Sequence, residues 1–198
     1  MGSTNKNKIV IGIDQSYKCT GVAIYVYNSI TKRGHFWRTF AITPGERTKM
    51  RKRAVIAGYI DDLLSDFRYR YNDVRICFER PRLFNRGHIS ASFLLSIGAL
   101  NGAIIDTAES WDVPCYSIDT RAWRCAAVGH CKRKENSKGI PPEKYFTVKH
   151  FCKVGYKNRL IWQDAEGQRH YEHDIADAMG IAVAAARLEG SALLRLET

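Results

Sequence analysis

Ile9 to Ile13 is an unbroken apolar run that ends on Asp14, and after Gln15-Ser-Tyr-Lys18 the chain returns as a second apolar run, Gly21 to Ile24. Short apolar runs bounded by turn residues predict buried strands. His35 to Ile42 has the aromatic and β-branched content of a third strand. Turns near Gln15 to Lys18 and Asn28 to Gly34 make the three an antiparallel meander. Ala54 to Ile60 with Leu63 and Leu64 has helical apolar spacing, and the helix crosses to a fourth strand, Val74 to Glu79, closed by Pro81. Ile89 to Glu109 reads as a long helix rich in Ser, Ala and Gly. Val113 to Ile118 is a fifth strand, with Pro114 predicting an edge position. Asp119 caps a helix over 122–128, Pro142 and Glu143 open another that runs to Lys153, and 155–169 reads as loop. An alanine-rich helix starting at Tyr171 or Glu172 runs to Arg187. This order predicts one α/β domain over 1–198: a mixed five-stranded sheet, three strands antiparallel and two parallel, flanked by helices, with residues 1–7 flexible.

Composition adds a partner to this scaffold. The 198 residues are 45% hydrophobic and 26% charged, an ordinary globular balance, but 31 Lys and Arg against 20 Asp and Glu leave a net charge of +11. The excess is clustered, since 121–159 holds 11 basic residues against Glu135 and Glu143. That favours a polyanion over a uniformly solvated surface. The six cysteines form no Cys-x-x-Cys pair and the N-terminus has no apolar signal region, which reads as a reduced, cytoplasmic protein. Cys19 and Cys77 are expected to be small core hydrophobes. Cys125, His130 and Cys131 do not have the spacing of a structural zinc site. No apolar run approaches the roughly 20 residues that a membrane span needs, and no membrane is expected as a partner.

Four acids sit where such a scaffold could use them. Asp14 ends the first strand and Glu79 the fourth, while Asp174 and Asp177 lie i, i+3 on one face of the last helix. Each has an ordinary reading: a turn-former for Asp14, a surface acid beside Arg80 or Arg82 for Glu79, and capping with dipole compensation for the helix pair. Taken together they would converge at one edge of the sheet. Like charges so close oppose one another unless cations neutralise them, and an all-oxygen set suits Mg²⁺ or Mn²⁺. Two such ions can activate water and stabilise the leaving oxygen in phosphodiester cleavage. His170 and His173 precede the helix acids and read as ligands, bases or ordinary capping residues.

The Asp-ended first strand, the Glu-ended fourth strand and the terminal His173-Asp-Ile-Ala-Asp-Ala-Met-Gly-Ile-Ala182 together resemble the RuvC family of Holliday-junction resolvases, in its phage-encoded branch. The resemblance runs from about Ile9 to Arg187. It implies an RNase H-like fold, a homodimer acting on branched DNA (four-way junctions and forks), and paired symmetric nicks that leave 5′-phosphate and 3′-hydroxyl ends. It also implies a phage protein acting in the host cell. Asp14, Glu79, Asp174 and Asp177 become ligands of two Mg²⁺ ions, with Asp14 shared, and Arg124 matches a basic residue that supports catalysis. Where bacterial members carry a base-probing Phe three residues after the strand-four Glu, this chain has Arg82, with Phe84 two further on. Arg82, Phe84, Arg86, Lys132, Arg133, Lys134 and Lys138 are the DNA contacts expected from these loops, and Lys18 from the first turn. The competing expectations are a less selective branched-DNA nuclease of the same fold and a non-catalytic junction-binding protein.

Overall fold

A computed structural model describes residues 7–71, 73–81, 90–129, 142–188 and 193–196. The meander is present as β1 (Asn7–Asp14), β2 (Thr20–Asn28) and β3 (Arg33–Ile42). Helix α1 (Lys49–Arg68), capped by the Thr48 side chain, leads to β4 (Val74–Glu79). Helix α2 (Ala91–Ser110), capped by Ser90, leads to β5 (Cys115–Ile118), and Asp119 caps α3 (Thr120–Ala127) through the Arg121 and Ala122 amides. Helix α4 (Pro142–Phe151) reaches α5 (Lys157–Leu160) across a kink where Gly155 takes φ 104°. A small hairpin, β6 (Ile161–Gln163) and β7 (Arg169–Tyr171), then delivers the chain into α6 (His173–Arg187), and β8 (Leu193–Leu196) follows.

The main sheet has six strands in the order β3-β2-β1-β4-β5-β8, not the five expected. Antiparallel β1, β2 and β3 and parallel β1, β4 and β5 agree with the sequence reading, and β8 adds an antiparallel sixth beside β5. β5 is therefore internal, which corrects the edge position inferred from Pro114. That proline lies one residue before the strand, and its carbonyl accepts from the Ile76 amide at 3.1 Å, so its missing N–H interrupts nothing. The β6–β7 hairpin likewise corrects the loop expected over 155–169.

Strand alternation splits the core into two layers. Ile9, Ile11 and Ile13 of β1 face α1 and α2, where Ile56, Ile60, Leu64, Leu100 and Ile104 are fully buried. Val10 faces the other way, onto α6, as do Ala23 and Cys77. Helix α6 is buried along nearly its whole length because its alanines let it lie close to the sheet. Cys77 is a core residue as expected, but Cys19 is not: it stands only partly covered beside Asp174 and Thr43. Burial, then the Asp174 charge, raise the Cys19 thiol to about 11.

Helix α2 also corrects the statement about apolar runs, since its 20 residues are long and apolar enough by length and composition to cross a membrane. In the fold its inner face, Ile97, Leu100, Asn101, Ile104 and Ala108, is buried. Leu95 on the other side is 75% exposed, and Phe93, in the first turn of the helix, is 53% exposed.

Candidate active site

Parallel pairing sets the ends of β1 and β4 side by side, with Ile13 opposite Phe78, so Asp14 and Glu79 leave the sheet together. Helix α6 crosses the same edge and brings Asp174 in its first turn and Asp177 in its second. The four acids predicted from sequence thus lie within electrostatic reach of one another. Asp14 is pushed well above the usual carboxylate range, by burial first and then by Asp177, Asp174 and Glu79, against the opposing pull of Lys144. Burial also raises Asp177, to about 6, although Arg124 and Lys144 act to lower it.

The ordinary readings do not describe these contacts. The first turn is closed by Ser16 and Thr20, whose hydroxyl donates to the Ser16 carbonyl at 2.6 Å and accepts from the Ser16 amide at 3.2 Å. Asp174 does not cap α6: the cap position is Glu172, with no side-chain capping bond, and Asp174 Oδ1 takes Lys144 Nζ and His173 Nε2, each at 3.2 Å. His173 therefore belongs to the edge of the cluster, whereas His170 faces Asp164. Glu79 is not paired with Arg80, whose Nε donates to Ser117. Its carboxylate accepts from Thr120 Oγ1 at 2.6 Å and from Trp123 Nε1 at 2.9 Å, and its carbonyl accepts from Gln15 Nε2 at 2.6 Å.

Helix α3 is what organises this half of the site. Asp119 starts the helix so that Thr120 and Trp123, three apart, share one face and reach the two Glu79 oxygens. Trp123 is fully buried against Gly180 of α6, and the next residue, Arg124, lies over the indole at 4.9 Å and reaches Asp177 Oδ2 at 3.5 Å. Arg124 thus stands beside the carboxylates, on Asp177. Lys144, on the first turn of α4, had not been singled out. Burial lowers its ammonium, but Asp14, Asp174 and Asp177 more than offset this and hold it above its ordinary value. Lys18 is exposed in the β1–β2 turn. Arg82, Phe84, Arg86, Lys132, Arg133, Lys134 and Lys138 lie outside the described residues, as do His130 and Cys131.

The donor set fits a hard divalent cation. It consists of carboxylate oxygens, and Asp177 Oδ1 is buried with no hydrogen-bond partner, an acceptor that a cation would satisfy. Among the described residues no three His, Cys, Asp or Glu groups stand, as they are placed, where they could hold one metal ion together. Lys144 partly relieves the repulsion that raises Asp14, and Arg124 does the same for Asp177.

This electrostatic load gives a stability prediction for the chain in chelator. Between the ordinary carboxylate range and about 6, folded Asp177 keeps a proton that the unfolded chain releases, so stability falls as pH rises through that interval. Asp14 acts in the same direction. For Asp177 the full effect is on the order of 3 kcal/mol. Urea midpoints should decline from about pH 4 to about pH 6, and Asp177→Asn should flatten the decline in that interval; an unchanged slope there in the variant would refute the assignment.

The sheet order, the parallel β1–β4–β5 core and the α6 cover define an RNase H-like fold of the RuvC type. The chain is similar to Thermus thermophilus RuvC in complex with Holliday junction substrate, at TM-score 0.62 and 15% identity over 96% of this chain and 99% of that one. A second T. thermophilus RuvC structure matches at TM-score 0.59, again at 15% identity, over 95% and 99%. The yeast mitochondrial Holliday junction resolvase Ydc2 matches at TM-score 0.50 and 15% identity, over 91% of this chain and 78% of that one. No protein-family model matches the chain, and no curated protein does.

Proposed function

We propose that the chain is a metal-dependent endonuclease that resolves four-way DNA junctions by paired symmetric nicks. The observation that carries this reading is the convergence of Asp14, Glu79, Asp174 and Asp177 at one sheet edge, with Asp14 raised by burial and by the other three. Carboxylates gathered on a basic chain oppose a phosphate substrate unless cations neutralise them, which disfavours a purely structural DNA binder. The fold likeness to a RuvC solved with Holliday junction substrate supports the choice of substrate.

Asp14, Glu79, Asp174 and Asp177 would hold Mg²⁺, or Mn²⁺, in two positions. When bound, these ions supply activation of water and stabilisation of the leaving oxygen during phosphodiester hydrolysis. The chain's own groups do the remaining work. Thr120 and Trp123 fix the Glu79 carboxylate, Arg124 orients Asp177, and the Lys144 ammonium lies at the cluster where it can meet a phosphate oxygen. Lys18 and the basic segment around 132–138 would hold the DNA backbone.

The test is a labelled four-way junction incubated with and without Mg²⁺, beside a fork, a linear duplex and an RNA–DNA hybrid. Symmetric Mg²⁺-dependent nicks on the junction support the proposal. Equal cutting of all four would make the chain a less selective nuclease, and binding without cutting would make it a junction-binding protein.

Paired nicks require two sites, and α2 offers the surface for a homodimer. Gly98 and Gly102 of α2 have open space where a side chain would project, and Phe93 and Leu95 are exposed on the same helix. Sedimentation at micromolar concentration should give twice the mass of one chain, and Leu95→Arg should give one chain. A monomeric unsubstituted protein would overturn the dimer.

A further inference from the structure

We infer that the β6–β7 hairpin presents Trp162 as a stacking platform for an unpaired nucleobase of bound DNA. The inference rests on the proposed action on branched DNA and names a contact for it.

Two antiparallel strands of three residues pair Ile161 with Tyr171, Trp162 with His170 and Gln163 with Arg169. Directly paired residues share a face of a two-stranded ribbon. Ile161 and Tyr171 pack on the α6 side of the core, and the Tyr171 ring meets Tyr145 of α4 edge to face at 6.2 Å. That anchoring turns Trp162 and His170 outward, where their rings stack at 4.1 Å and 15°. The edges of both rings are fixed too. Trp162 Nε1 donates to Glu172 Oε1 at 2.5 Å, and His170 Nε2 lies 2.7 Å from Oδ2 of Asp164, a turn residue whose other oxygen, Oδ1, accepts from the Gln168 amide.

The outcome is an indole that is immobilised and still 48% exposed. Ordering a large aromatic side chain without burying it opposes folding, since the lost conformational freedom is not matched by apolar area removed from water. A flat π-ligand stacked on the exposed indole would supply the missing contact. The charges nearby select among such ligands. Asp164 and Glu172, the carboxylates at the indole and imidazole edges, are engaged by those rings. Arg159 is exposed on the same segment and suits a phosphate beside such a base, while Arg169 is exposed on the opposite face of the ribbon, with Glu166 at the hairpin tip as the opposing charge.

Position completes the argument. Glu172, the residue that holds the indole, is the cap residue of α6 and stands two residues before Asp174, while Tyr145 adjoins Lys144. The platform therefore borders the carboxylate cluster, where a base freed from pairing at a branch point would lie beside the strand to be cut.

The experiment places 2-aminopurine at the branch point of a four-way junction and measures its fluorescence and the binding affinity in chelator, so that no strand is cut. A continuous duplex and a single strand carrying the same probe are run beside it. The intact chain should quench the probe in the junction and the single strand. Trp162→Ala should abolish the quenching and weaken junction binding by about 5- to 150-fold, the range of one base–aromatic stack, with duplex binding unchanged. Trp162→Phe should restore most of both and shows that the hairpin itself survives substitution. Quenching and affinity unchanged in Trp162→Ala, or an equal loss on junction and duplex, would overturn the platform. If the intact chain binds no junction, the proposed function falls, and the platform is decided on the single strand by whether quenching there depends on Trp162.

Discussion

Asp14→Asn should abolish Mg²⁺-dependent cleavage of a four-way junction, by about 1000-fold or more, while leaving the chain folded and able to bind the junction. The size follows from the place of Asp14 in the cluster: it ends β1, an internal strand of the sheet, and is raised by Asp177, Asp174 and Glu79 together, so it lies within reach of all three. A carboxylate in that position would be shared between two cations, and losing several kcal/mol of transition-state stabilisation lowers a rate by orders of magnitude. Asparagine has nearly the same shape, so β1 and its packing stay intact. It also removes one of the mutually repelling charges, so the variant in chelator should melt above the parent at pH 8, and the two should converge as acid protonates Asp14 in the parent. Cleavage retained in Mg²⁺ by the purified variant would refute the role of Asp14. Cleavage lost together with junction binding and melting temperature would instead make Asp14 a structural residue.

What was legible in the sequence was set by period and position. Apolar runs such as Ile9 to Ile13 and Val74 to Phe78, the latter broken only at Arg75, announce buried strands, and a carboxylate at the end of each is visible without knowing the fold. The helix acids were visible because an i, i+3 pair must share a face. The supports of those acids were not, because they come from elements whose approach depends on tertiary packing. Lys144 is 30 residues from Asp174 and reaches it only because α4 lies on α6. Trp123 reads as a core aromatic, which it is, and nothing local shows that its N–H is turned to Glu79, 44 positions earlier. Short elements failed for another reason. Leu193 to Leu196 and the three-residue strands of the hairpin are too brief to display a period of two, so neither β8 nor the strand that carries Trp162 is legible in the sequence. Pro114 misled because a proline just before a strand and one at an edge look alike in sequence, and only the register separates them.

The glycines facing α6 carry the second large effect. Gly21 stands opposite Asp14 in the β1–β2 ladder, and Gly12 opposite Ala23, so both lie on the strands beneath the helix. A Cβ on Gly21 would come within 3.0 Å of backbone atoms of Asp174 and Ile175, and one on Gly12 within 3.0 Å of the Ala178 carbonyl and the Ala182 amide. Neither neighbour is a flexible side chain that could turn aside, so the helix itself must rise. For Gly21→Ala that shift falls on the first turn of α6, where Asp174 meets Lys144 and from which Asp177 follows one turn on. Overpacking of this kind costs about 1–3 kcal/mol, which for a chain of this size lowers the melting temperature by roughly 2–12 °C. Cleavage should fall by more, at least about 100-fold, because a displacement near 1 Å in a positioned group has that effect on a rate. Gly12→Ala, under the buried middle of α6, should match or exceed the loss of stability while moving the acids less. Thermal melts and single-turnover cleavage of both variants separate the two effects. A Gly21→Ala chain as stable and as active as the parent would mean that α6 does not rest on β2 at this point, and the carboxylate arrangement built on that contact would have to be redrawn.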